Sequence, residues 1–172
     1  MITAIYPGTY DPVTNGHVDV ISRAARIFDR VVVGVVGSPQ HKSPMFSVEE
    51  RVFLLKDALE GTAENVEIDI FRELVVEFAR RWEATVIVKG LRVLSDFEWE
   101  FQMNQLNRHL APEIETVYVM ASPQVSFVSS SGVKEIASFG GNVEGLVPKA
   151  VAARLKEKFP KGRGGAPLSD QE

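Results

Sequence analysis

The chain contains no cysteine among its 172 residues. That absence excludes thiol nucleophiles, cysteine-ligated zinc or iron–sulfur centres and a disulfide framework, and it fits a reducing compartment. An excess of positive charge is also missing. Nineteen basic residues stand against 23 acidic ones, giving a net charge of −4 and a pI near 5.5. Nucleic-acid binding driven by overall charge is therefore excluded, although a local basic cleft is not. The longest apolar run, Val31–Gly37, falls far below the roughly 20 residues that a membrane-spanning helix needs. Met1–Tyr6 lacks a basic leader and runs straight into Pro7 and Asp11, so no export signal is expected. The expectation is a cytoplasmic protein that binds neither membrane nor nucleic acid. Two common phosphate loops are absent as well. No Gly-Lys dipeptide occurs, which excludes a Walker A loop, and no strand-linked G-x-G-x-x-G is present.

What is present has the balance of an ordinary globular domain, with 45% hydrophobic and 24% charged residues in 19.0 kDa. A short β-branched run, a loop and an amphipathic stretch alternate along the chain. The runs are Thr3–Tyr6, Val31–Val36, Val66–Phe71, Thr85–Val88 and Thr116–Met120. Most are nearly continuous in apolar character, as strands covered on both faces should be. Val66–Phe71 alternates with Glu67 and Asp69, which predicts a sheet edge. Val18, Ile21, Ala25 and Phe28 form one helical stripe. Ser47 with Glu50, and Ser95 with Glu98, read as capping boxes. Further helices are predicted from about Ser130 to Gly140–Gly141 and from Pro148 to Phe159. The expected fold is α/β: a single domain over 1–160 with a Rossmann-like, doubly wound, parallel five-stranded sheet. Residues 161–172, with three glycines and no periodicity, are expected to be a disordered tail.

In such sheets ligands bind beyond the carboxyl ends of the strands. The first of these loops reads YPGTYDPVTNGH, from Tyr6 to His17. Gly8 and Gly16 allow close backbone approach, and prolines fix the chain around Thr9. His17 falls at a helix start, where N–H groups and the dipole favour an anion. A lone histidine there is more often a satisfied cap; placed after strand one, beside Thr9 and Gly16, it gains a functional reading. The second loop carries His41 and Lys42. The fourth strand leads into Lys89-Gly90-Leu91-Arg92, two cations astride a glycine. Asp96–Glu100 reads as an acidic first helical turn. Ser126–Gly132 offers several hydroxyls before another helix, one explained as an N-cap and the others resembling a phosphate cradle. Cations, histidine and serines from four loops thus meet at one edge, which implies polyphosphate binding without a P-loop. The histidines lack metal-site spacing, so a cation is expected to arrive on the phosphates.

Thr14-Asn15-Gly16-His17 resembles the T/H-x-G-H signature of the nucleotidyltransferase superfamily. With SPMFSVEER, KGLR, DFEWE, NQLNRHL and SFVSSSGVKE in order, the chain is similar to the bacterial phosphopantetheine adenylyltransferase family from about Ile5 to Phe159.

The resemblance implies an enzyme that joins ATP and 4′-phosphopantetheine into dephospho-coenzyme A and pyrophosphate with Mg²⁺. It also implies a homohexamer and feedback binding of coenzyme A. On the matching positions, His17 is the expected catalytic residue, and Thr9 and His17 would hold the reacting phosphates. Lys42 and Lys89 would take the phosphate of phosphopantetheine, with Val75 against its arm. Tyr10, Gly90, Leu91, Arg92, Glu100 and Val125, Ser126, Phe127, Val128, Ser129, Ser130 and Ser131 would bind ATP. No protein side chain is expected to ligate the metal. Two positions depart from the family pattern. Lys89 stands where arginine is usual, keeping the charge but losing the two-pronged fork. Val125 replaces a frequent aromatic and cannot stack on a base.

The residues leave two alternatives open. One is a related nucleotidyltransferase with another phosphate acceptor, such as nicotinamide mononucleotide, which substrate screening distinguishes. The other is a non-catalytic ATP-binding regulatory module, which would bind ATP without releasing pyrophosphate.

Overall fold

The computed structural model describes residues 1–38 and 43–160. Strands and helices alternate as β1 (Thr3–Gly8), α1 (Asn15–Ala24), β2 (Arg30–Val36), α2 (Val48–Leu59), β3 (Val66–Phe71) and α3 (Val75–Arg81). They continue as β4 (Val86–Leu91), α4 (Leu94–Leu110), β5 (Glu115–Met120), α5 (Ser130–Ser138) and α6 (Lys149–Lys158). The five strands form one parallel sheet in the order β3-β2-β1-β4-β5. β3 is an edge strand, as its alternation requires.

Alternate side chains of each strand go to opposite faces, and both faces are covered. Ala4, Tyr6, Val31, Val33 and Val35 join Ile21, Leu54, Leu55, Val133 and Leu155 in one core. Ile5, Val32 and Ile87 face the other way, onto Val76, Phe78, Ala79, Ala111 and Ile114. Helices α1, α2, α5 and α6 therefore cover one face, and α3 with the end of α4 the other: the sheet is doubly wound. Burying each such aliphatic or aromatic side chain contributes about 1.5–3 kcal/mol over leaving it exposed. Phe78 stacks on Phe71 at 4.5 Å between centroids, so Phe78→Ala would open a void in the smaller core and cost about 3–5 kcal/mol.

Two local expectations are corrected. The fourth strand does not stop at Val88. Lys89, Gly90 and Leu91 keep pairing with Tyr118, Val119 and Met120, so the two cations' segment begins as strand rather than loop. The Ser95–Glu98 capping box does not form. α4 starts at Leu94 with Val93 as its N-cap and no side-chain cap bond. Asp96 accepts the backbone N–H of Arg92 at 3.1 Å instead, because a carboxylate is the stronger acceptor and its charge is matched by the Arg92 side chain. The Ser47–Glu50 box is formed as read. His41, Lys42 and the tail from Lys161 lie outside the described residues.

Candidate active site

The strand order reverses between β1 and β4: the chain winds outward from β1 through β2 to β3, then returns to β4 and β5. β1 pairs with β2 at six positions but with β4 only at Ala4–Val86 and Ile5–Ile87. Beyond those two pairs the carboxyl halves of β1 and β4 are released from each other. A cavity of about 430 Å³ opens there, within the usual range for a small-molecule site. Its wall includes Tyr6 and Gly8 from β1, His17 from α1, Lys89 and Gly90 from β4, Arg92, Glu100 from α4 and the serines opening α5.

His17 is held from two sides. Thr14 caps α1, and its backbone N–H donates to Nδ1 of His17 at 3.0 Å. The Tyr10 ring meets the imidazole edge-on, 5.1 Å between centroids. Tyr10 adopts a left-handed φ of 52°, and its hydroxyl donates to the Tyr6 carbonyl at 2.7 Å, so the ring has a fixed place. Because Nδ1 accepts, the proton of the neutral imidazole is assigned to Nε2. Burial, aided by the positive charge of Arg92, pushes the His17 pKa down to about 4. The ring is thus a neutral N–H donor at pH 7, its other nitrogen already occupied.

The cations are paired. Lys89 Nζ lies 3.1 Å from Glu100 Oε2. Arg92 grips Asp96 with Nε and Nη2, each at 3.0 Å, and Nη1 donates to the Val128 carbonyl at 3.2 Å. Burial by itself would raise the Asp96 carboxyl, but the Arg92 hydrogen bonds and charge outweigh it, and the pKa is lowered. Of the serine cluster, Ser129 Oγ caps α5 by accepting the Gly132 N–H at 3.0 Å. Ser130 Oγ donates to the Pro12 carbonyl at 2.8 Å. Ser131 stays on the cavity wall. Ser129, as an acceptor, keeps its hydroxyl proton free, whereas Ser130 donates its own to Pro12.

Tyr10, His17, Lys89, Gly90, Arg92, Glu100, Val128, Ser129, Ser130 and Ser131 all line the cavity. Thr9 does not; its carbonyl accepts from Arg51. Leu91 is buried, Val125 packs against the larger core, and Ser126 Oγ donates to Pro123. Phe127 is 71% exposed. Val75 opens α3 and packs on the smaller core, away from the cavity. Sequence reasoning missed Tyr6, Thr14, Ser95 and Trp99, and gave Asp96 only a solvated role. The spacing of Arg92 and Asp96, four apart, was the available signal for that pair.

Comparison with known proteins agrees with this architecture. A cytidylyltransferase-like family model matches residues 5–136. The phosphopantetheine adenylyltransferase of Caldanaerobacter subterraneus subsp. tengcongensis is 51% identical over 161 residues, covering 94% of this chain and 99% of that protein. The chain belongs to the phosphopantetheine adenylyltransferase family. The member from Thermomicrobium roseum is 52% identical over 158 residues, covering 91% of this chain and 94% of its own. A solved Vibrio parahaemolyticus structure, named as a nicotinate-nucleotide adenylyltransferase, superposes with a TM-score of 0.67 at 15% identity, covering 92% and 93% of the two chains. At that identity the likeness is one of fold.

Proposed function

We propose that the chain transfers the adenylyl group of ATP to 4′-phosphopantetheine, giving dephospho-coenzyme A and pyrophosphate. The observation that carries this is His17, a neutral imidazole with a free Nε2–H, lining the same switch-point cavity as Lys89 and Arg92. The acceptor phosphate has a second pKa of about 6 and is already a nucleophile at neutral pH. Its oxygen forms the new bond to the α-phosphorus as the α–β bridge breaks, and the electron pair leaves on pyrophosphate. The protein must hold two anions together and stabilise the charge that develops. His17 would donate to the α-phosphate, Lys89 would hold the acceptor phosphate, and Arg92 would face the outer phosphates. Each phosphate must then draw its cation from Glu100 or Asp96.

The cavity carboxylates Asp96 and Glu100 are both engaged by cations, and no cluster of three potential ligands occurs among the described residues. Mg²⁺ would therefore be carried by the ATP phosphates, and no step here is routed through it. Coenzyme A, which contains the product's skeleton, would compete for the same cavity. No helix among the described residues is long and apolar enough to cross a membrane. A cytoplasmic setting accords with an ATP-consuming, cysteine-free chain.

Self-association belongs to the same proposal. α4 runs for 17 residues yet buries only Asn107, while Phe97, Trp99, Phe101, Leu106 and Leu110 remain exposed. So much uncovered apolar surface on one helix supports a homo-oligomer, and the family resemblance makes the expected number six.

The test is pyrophosphate release from ATP with and without 4′-phosphopantetheine, and with nicotinamide mononucleotide in its place. Release only with the second acceptor would reassign the substrate. ATP binding without release for any acceptor would mean a non-catalytic module.

A further inference from the structure

Arg51 lies within α2 and is 1% exposed. Its Nη1 donates to the carbonyls of Thr9 at 2.7 Å and Val36 at 2.9 Å, and Nη2 to Gly37 at 3.5 Å. Nε is buried without a partner, and no carboxylate forms an ion pair with this guanidinium among the described residues. A buried charge whose hydrogen bonds all go to carbonyls is costly, even with the more distant charges of Asp11 and Glu49 in its favour, and an apolar side chain such as those of Leu54 and Leu55 on the same helix would fill the space without that cost. Packing therefore does not account for an arginine here.

Its contacts do. The parallel ladder between β1 and β2 ends at the pair Gly8–Val35. Thr9 follows the end of β1, and Val36, which pairs with Phe71 of β3, has no register partner on β1; Arg51 donates to the carbonyls of both. One nitrogen, Nη1, bridges both carbonyls, and Nη2 of the same planar guanidinium reaches toward Gly37. Thr9 is followed at once by Tyr10, at φ 52°, whose ring abuts His17. Asp11 ties the far side of this loop through the N–H groups of Met45 and Phe46, but the Thr9 carbonyl has Arg51 as its side-chain donor.

We infer that Arg51 is a positioning residue for His17: by clamping the ends of β1 and β2 beyond their last paired residues, it fixes Thr9 and Tyr10 and, through the Tyr10 ring, the place of the imidazole. The route is Arg51 to the Thr9 carbonyl, to the Tyr10 backbone, to the ring against His17. It rests on the proposed function only for its kinetic consequence.

The test uses the full-length protein with Arg51→Lys and Arg51→Gln, each compared with the wild type by nitrogen-15 NMR of the histidine side chains. The expected result is that the His17 resonances move and the imidazole titrates at a higher pH than in the wild type. Amide exchange at Tyr10 and Asp11 should accelerate in the same samples. Arg51→Lys, which keeps the charge and can reach one carbonyl, should show the smaller change and stays informative if Arg51→Gln fails to fold. In the pyrophosphate assay kcat should fall by roughly 10–100-fold, as a displaced reacting group entails, with KM for ATP nearly unchanged. Wild-type His17 resonances and wild-type exchange at Tyr10 in a folded Arg51→Lys protein would overturn the inference and leave Arg51 as a support of α2. An inactive wild type would remove the proposed reaction, and the NMR comparison would still decide the role of Arg51.

Discussion

Lys134, on α5, places its Nζ 2.7 Å from the carboxylate of Asp11, which lies 123 residues earlier in the loop after β1. The same carboxylate accepts the backbone N–H groups of Met45 and Phe46, each at 2.9 Å. One buried acid thus joins the loop after β1, the approach to α2 and the helix that begins at the serine cluster. Burial alone would raise its pKa, but the bonds from Lys134, Met45 and Phe46 prevail and lower it below 3.8.

Removing that acid should destabilise the fold by about 3 kcal/mol, since it strands Lys134, the buried Phe46 N–H and the half-buried Met45 N–H together. Urea unfolding of Asp11→Ala, Lys134→Met and the double variant gives the coupling between the pair. The sign with pH follows from the lowered pKa. The contribution of Asp11 is present above pH 3.8 and is lost as the pH falls through its lower folded value. Asp11→Asn should therefore flatten the acid limb of the stability curve.

His17→Ala should lower kcat by about 10²–10³ while KM for ATP changes little, because in its proposed role the donor would act on charge that develops only in the transition state. Steady-state kinetics with both substrates varied checks this. In the folded protein the imidazole titrates near 4 rather than 6.5. The Nε2–H tautomer should accordingly persist unchanged from pH 8 to about 5 in nitrogen-15 spectra. An acid-side fall in rate near pH 6 would then belong to the acceptor phosphate.

Much of this frame was legible in the residues because the strands are covered on both faces. Val31–Val36 has no polar position to misplace, and Val66–Phe71 reveals its edge through Glu67 and Asp69. The cavity was harder to see. Tyr6 and Lys89 line one cavity where β1 leaves β4 after two pairs, a fact of sheet geometry with no local sequence signal. Capping patterns erred in both directions. Ser95–Glu98 matched the pattern but lost to Asp96, whereas Thr14–His17 forms a reciprocal cap that the Glu/Gln rule does not describe. Neither Val75 nor Thr9 carries a polar side-chain contact that marks the site, so their proposed roles come from the family resemblance.

Light scattering should report a species near six times 19.0 kDa at micromolar concentration. Leu106, 58% exposed on α4, is the position at which to break it. An aspartate there would put an unpaired charge into an apolar contact and should shift the mass toward smaller species. An unchanged mass for Leu106→Asp would place the contact on another face, and a monomeric wild type would remove the hexamer altogether.

In the proposed reaction Lys89 would take the acceptor phosphate and Arg92 the outer phosphates of ATP, and the ion pairs predict how the two would differ. Lys89 is paired with Glu100 at 3.1 Å through a single ammonium, whereas Arg92 is locked to Asp96 by two bonds and to Val128 by a third. Lys89 is the easier to draw away, as a group that must engage an incoming acceptor should be. Lys89→Ala should therefore raise KM for phosphopantetheine several-fold more than KM for ATP. Lys89→Arg should remain active and bind the acceptor more tightly, because guanidinium can grip a phosphate with two bonds. Arg92→Ala should show the opposite bias, weakening ATP and slowing departure of pyrophosphate, and it also leaves Asp96 unpaired at the cavity wall. Asp96→Asn separates those two effects: it frees the guanidinium from its carboxylate, so KM for ATP should fall if Arg92 serves the outer phosphates. Equal rises in both KM values for Lys89→Ala would mean that this lysine only sets the field of the cleft, and the acceptor phosphate would then need a different cation.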